Sequence, residues 1–100
     1  MVEQFYNKNQ FLIKGEYNIT FQSYQSTIAT IDKNGDLTLF TDWDYSHTTL
    51  KHLYLFIRDY FCILNHATRD LLVDLEYSKN KRTFIQKLID NNKISFKKGV

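Results

Sequence analysis

The chain has 100 residues, 43% of them hydrophobic, 24% charged and 16% aromatic. That composition belongs to globular domains and excludes a disordered acidic or basic tail; the length predicts a single α+β domain over 1–100. The net charge is +2, which excludes a whole-protein DNA mimic, since that needs a strongly acidic surface.

No run of 18 apolar residues exists, so no membrane span is expected. The first five residues, Met1-Val2-Glu3-Gln4-Phe5, lack the basic and apolar regions of a secretory signal. The single Cys62 permits no internal disulfide, which points to a reducing cytoplasm. The charge is uneven. Residues 1–50 carry three lysines against six acids, and residues 51–100 carry ten bases against five acids. After Tyr77, seven bases face only Asp90. A basic stretch of this kind can meet phosphates or an acidic protein, or can serve as a solvated helix face.

In chain order, residues 10–14 form a short apolar run closed by Gly15. Residues 17–23 alternate, with Tyr17, Ile19 and Phe21 on one face, the period of a half-buried strand. Residues 27–31 are β-branched. Asn34-Gly35 then separates Ile31 from the run 37–40. Asn-Gly between apolar runs is a strong hairpin signal, because both residues tolerate positive φ. The pattern predicts an antiparallel meander of three to four strands.

The period changes after Tyr45. Ser46, Thr48 and Thr49 offer caps. Leu50, Leu53, Tyr54, Ile57 and Phe61 follow at helical spacing, predicting a helix over 47–64 whose apolar stripe covers the sheet. Residues 65–67 break it. A second short helix is predicted over 68–77, with Leu71, Leu72 and Leu75 inward. A third, capped by Ser78, is predicted to run to about 91 with Phe84, Ile85, Leu88 and Ile89 inward. Asn91-Asn92 ends it. The alternating segment 93–97 is a possible final edge strand, guarded by its lysines. Two to three C-terminal helices therefore pack the sheet.

Motifs for metal or catalytic chemistry fail on spacing. An EF-hand loop needs Gly at position six and Glu at position twelve; counting from Asp32, Gly35 is fourth and Trp43 twelfth. Cys62, His66, His47 and His52 are spread over several helical turns and lack the paired spacing of a zinc site. Asp42 and Asp44 share a strand face if extended, but no Gly-rich loop or Walker lysine accompanies them. No cofactor, no metal and no enzymatic turnover are expected.

The densest polar and aromatic stretch, 41–52, joins sheet to helix. Its acids and hydroxyls suit a helix N-terminus, whereas Trp43 and Tyr45 are either core residues or interface anchors. The residues Ser23-Tyr24, Ile28-Ala29, Asp44-Tyr45-Ser46, Thr48-Thr49, Lys51-His52-Leu53 and Phe56 resemble a group of small phage and prophage proteins of low-GC Gram-positive bacteria, which share SYxxxIA and DYSxTTxKHLxxF patterns. The resemblance covers 21–56. It implies an accessory role against host machinery, of the anti-CRISPR kind, and supplies no catalytic residues.

The function expected is stoichiometric binding and inhibition of a host defence protein, such as a CRISPR effector nuclease. The alternative is a small nucleic-acid-binding regulator using the basic C-terminal helix and strand. The candidate partner-binding residues are Asp42, Trp43, Asp44, Tyr45, His47, Lys51 and His52 at the junction, and Lys79, Lys81, Arg82 and Lys87 on the basic helix.

Overall fold

A computed structural model describes residues 1–61 and 69–98, the side chains of 69–72 excepted. Cys62, His66, the break at 65–67 and the inward leucines 71 and 72 lie outside the described residues and side chains. The architecture is α+β. Six strands lie side by side in chain order: β1 (Val2–Phe5), β2 (Asn7–Lys14), β3 (Ile19–Ser23), β4 (Ser26–Ile31), β5 (Leu37–Phe40) and β6 (Ser95–Lys97). The first five form an antiparallel meander, and β6 pairs with β5 in parallel. That last pairing needs a long crossover, and the helices between residues 47 and 90 provide it.

The meander has one strand more than the sequence suggested. β1 escapes notice because its turn into β2 is made by Tyr6 at φ 65°, with no Gly or Asn-Gly to announce it. β3 begins at Ile19, so Tyr17 is an exposed turn residue. The β4–β5 hairpin is also built differently from the expected Asn-Gly turn. The Asp32 carboxylate accepts from the backbone N–H of Asn34 (2.8 Å) and Asp36 (3.1 Å), and only Gly35 takes positive φ, at 83°.

Helix α1 (His47–Phe56) continues as one π-helical turn, Ile57–Phe61. Ser46 caps it: the backbone N–H of Thr49 donates to Ser46 Oγ at 3.1 Å. The buried face is Thr49, His52, Leu53, Phe56, Ile57 and Phe61. Leu50 and Tyr54 sit half-buried at its rim, so the expected stripe is rotated by about one residue. Extra residues in a π turn shift the helical register, which lets Ile57 and Phe61 face inward. The sheet answers with Leu12, Phe21, Ile28, Ala29 and Leu39. Phe21 and Phe56 stack at 5.7 Å, with Phe5 edge-on to both. Each buried Phe contributes about 1.5–3 kcal/mol through area removed from water.

Among the described residues two further helices follow: α2 (Arg69–Tyr77) and α3 (Lys81–Asp90). α3 buries Ile85 and Leu88, with Phe84 and Ile89 packed at the core edge. Its cap is Asn80, whose Oδ1 accepts from the Thr83 N–H at 3.0 Å. Ser78 instead donates to the Asn80 carbonyl, so the helix starts two residues later than expected. Asn92 takes the left-handed conformation, φ 58°, just past its end. β6 is exposed at the sheet edge.

The β1–β2 turn is pinned to the π turn. The Tyr6 hydroxyl donates to Asp59, while Arg58 donates to Tyr6 Oη (3.0 Å) and to Asp59 Oδ1 (2.8 Å). Partial burial pushes the Asp59 carboxyl up, but the bonds from Arg58 and Tyr6 outweigh it, and its pKa lies below the ordinary value. A depressed carboxylate stabilises the fold above its unfolded pKa, near pH 4, and that contribution is lost as pH falls through the folded value. Thermal melts from pH 6 downward should therefore show part of the acid destabilisation arising here. Asp59→Asn should flatten that part of the profile; an unchanged acid limb would contradict the role given to this cluster.

Candidate docking site at the helix N-termini

Between β5 and α1 the chain makes two tight turns. The Trp43 N–H donates to the Phe40 carbonyl (3.0 Å) and the Tyr45 N–H to the Asp42 carbonyl (3.1 Å). Ser46 then leaves in extended conformation, φ −151°. These turns send Trp43 inward, 3% exposed, and Tyr45 outward, 76% exposed. Trp43 is thus a core residue, and the structure corrects its nomination as a surface anchor. Its ring belongs to the same core cluster as Ile85 and Leu88 of α3. The Arg82 guanidinium lies over it, 6.0 Å from the ring centroid, and the same group donates to Asp44 Oδ2 at 2.8 Å. The first turn of α3 is held beside the first turn of α1.

Beside that contact lies an open cleft of about 640 Å³. α1 and the residues before it contribute Asp44, Ser46, His47, Leu50, Lys51 and Tyr54; α3 and the residues before it contribute Lys79, Asn80, Lys81 and Arg82. Six of the eleven nominated residues therefore share one surface, although 27 residues separate Lys51 from Lys79 in the chain. Arg82 neutralises Asp44. Lys81 lies over the Tyr54 ring at 5.2 Å. Among the described residues, no acid pairs with Lys51, Lys79 or Lys81. The N-termini of two helices open onto the same cleft, adding their partial positive charge. Its electrostatic character is cationic.

A second groove, of about 930 Å³, lies on the other side of Ser46, which lines both. It is bounded by Tyr24, Gln25 and Ser26 from the β3–β4 turn, Asn9 and Phe11 from β2, and Asp42, Tyr45, Thr48 and Thr49 from the junction, with Ser23 and Ile28. Ser23 and Thr49 share a buried hydroxyl hydrogen bond of 3.1 Å, and Ser46 donates to Thr49 Oγ1 at 3.1 Å. The two sequence patterns around 23–29 and 44–53 are joined physically at this point. Sequence reasoning named Asp42 and Tyr45 but missed Tyr24, Ser26, Asn9 and Phe11. The signal was the pair of patterns, which become one site only after the strands align.

Two other nominations fall outside these surfaces. His52 is buried, 4% exposed, with Nδ1 donating to the Thr48 carbonyl at 2.7 Å and the ring edge-on to Phe5; its position on the helix faces the sheet. Lys87 is exposed on α3 but lines neither surface. Gln10, directly across the sheet from Ser23, is fully buried, and its side-chain amide has no hydrogen-bond partner. Among the described residues, no group of three or more His, Cys, Asp or Glu is placed to hold a metal ion, and no helix is long and apolar enough to cross a membrane.

The fold is an α+β sheet-and-helix unit with a cationic cleft and a hydroxyl-lined groove meeting at the start of α1. The chain belongs to a family of unknown function, DUF8033, whose sequence model matches residues 2–70. No curated protein and no solved structure matches it. Every residue of the groove falls within the matched region, whereas Lys79–Arg82 of the cleft lie beyond it.

Because Trp43 is core, Trp43→Ala should destabilise the fold by about 3–5 kcal/mol. Urea unfolding checks this. A loss below about 1 kcal/mol, the level typical of surface positions, would place the ring outside the core.

Proposed function

We propose that the protein works by stoichiometric binding without turnover, docking a partner's anionic face into the cleft between α1 and α3. The supporting observation is the convergence of Lys51, Lys79 and Lys81, unpaired with any acid among the described residues, on one cleft at two helix N-termini. Lysines around a concave surface steer an acidic partner and fix its register. Taken with the resemblance to small phage proteins, the partner is a host defence protein, of which a CRISPR effector nuclease is one example, met in the host cytoplasm. A second reading, a nucleic-acid-binding regulator, draws on the same lysines, because phosphates are also attracted to helix N-termini and ammonium groups.

The test is capture of the partner from a bacterial lysate, followed by titration of its activity. Inhibition should end at a fixed molar ratio, and Lys79→Glu with Lys81→Glu should weaken binding at least about tenfold, mostly through slower association at low salt. Lys87→Glu, outside the cleft, should change affinity less than about threefold. Inactivation of many partner molecules by one copy would overturn the reading. Recovery of nucleic acid alone, released at moderate salt, would favour the second.

A further inference from the structure

The groove beside the cleft has a chemistry of its own. Asp42 is the only charged residue among those that line it. Among the described residues, Asp42 is also the one carboxylate that is neither exposed nor held by a cation or hydrogen-bond donor. Glu3 is taken by Lys14, Asp44 by Arg82 and Asp59 by Arg58, and the remaining described acids are exposed. A half-buried carboxylate loses hydration and is normally paired. The groove also presents two tyrosines that the fold leaves outside: Tyr24, 52% exposed at a left-handed turn position, and Tyr45, 76% exposed. Neither ring packs in the core.

We infer that this groove is a receptor for an arginine side chain of the partner protein, an inference that rests on the binding reading above. The charge is complementary: one carboxylate without a counter-ion calls for one cation. The lining, one carboxylate with two exposed tyrosines, favours guanidinium over ammonium. Guanidinium is planar, forks onto a carboxylate through two N–H donors and stacks on aromatic faces. Lysine is a compact, strongly hydrated charge that does neither as well. The hydroxyls of Ser26 and Thr48 at the groove wall can accept the remaining N–H donors. The partner surface is then bipolar, with acids toward Lys51, Lys79 and Lys81 and an arginine on the far side of Ser46. A phosphate backbone would meet Asp42 as a like charge.

The test uses the full chain and two small probes, acetyl-arginine amide and its neutral isostere acetyl-citrulline amide, followed by amide chemical shifts. With arginine raised to about 50 mM, past the millimolar range open to a one-side-chain ligand, saturable shifts should appear at Asp42, Tyr45 and Ser46 and in the turn at Tyr24 and Gln25. The citrulline probe should produce none there. Asp42→Asn should remove the arginine response. Tyr45→Ala, a change at an exposed ring that leaves the core intact, should weaken it about two- to fivefold. Absence of localised shifts, equal shifts with citrulline, or a response unchanged in Asp42→Asn would each overturn the inference. So would a single-stranded oligonucleotide that shifts these same amides while arginine does not. The lysine cleft plays no part in this readout, so failure here leaves the charge-reversal result at Lys79 and Lys81 as the separate judge of the binding reading.

Discussion

The seating of Arg82 on Trp43, with Asp44 gripping the same guanidinium, is the contact on which the candidate surfaces depend. Trp43 is placed by two backbone turns at the end of β5, so its position follows from the sheet. Arg82 belongs to the first turn of α3. Asn80 caps α3 and buried Ile85 and Leu88 anchor it, and the Arg82 contact holds its first turn beside that of α1, with Lys79 and Lys81 near Lys51. The Asp44–Arg82 pair is exposed enough that its own contribution to stability is small, about 0–1 kcal/mol. Its consequence is positional. By neutralising Asp44 it removes the one acid from the cleft and leaves the lysines uncompensated.

The same junction separates two chemistries across one residue. Ser46 caps α1 with its hydroxyl and borders both the cationic cleft and the tyrosine-lined groove. The Ser23–Thr49 hydroxyl pair ties the β3–β4 turn to the first turn of the helix, so the groove is braced by a buried polar contact across 26 residues of chain. Buried hydroxyls must be paired to avoid a desolvation penalty of about 1–3 kcal/mol each, which makes this contact specific to one register of α1 on the sheet. The aromatic stack of Phe5, Phe21 and Phe56 supplies the bulk of the driving force nearby without setting that register.

Much of the fold was legible in the sequence, for local reasons. Alternation in 17–23, β-branched residues in 27–31 and helical spacing from Leu50 onward are local signals that tertiary packing reinforced. β1 was illegible because its turn into β2 places Tyr6, a residue that turn rules do not single out, at positive φ. The rotation of the α1 stripe was illegible because polar Thr49 and His52 occupy buried positions while Leu50 and Tyr54 sit at the rim. The parallel pairing of β6 could not be read because a strand's direction relative to its neighbour depends on the crossover before it. Of the site, the two charged segments were visible separately, and their meeting was not, since it depends on how α3 packs through Ile85, Leu88 and Arg82. Trp43 and Tyr45 are two residues apart with opposite fates. Alternation would have put them on one face; the intervening turn puts one in the core and the other in water.

Trp43 is the single tryptophan of the chain, so its fluorescence reports on this contact alone. Acrylamide quenching of the native protein is the most direct measurement of the central claim. A ring seated beneath Arg82 should emit at shorter wavelength than in the denatured chain and be quenched several-fold less steeply. Arg82→Ala should raise the quenching while leaving the fold intact. Native emission and quenching equal to those of the denatured chain would show an exposed ring, and the account of how α3 is brought to the N-terminus of α1 would be wrong.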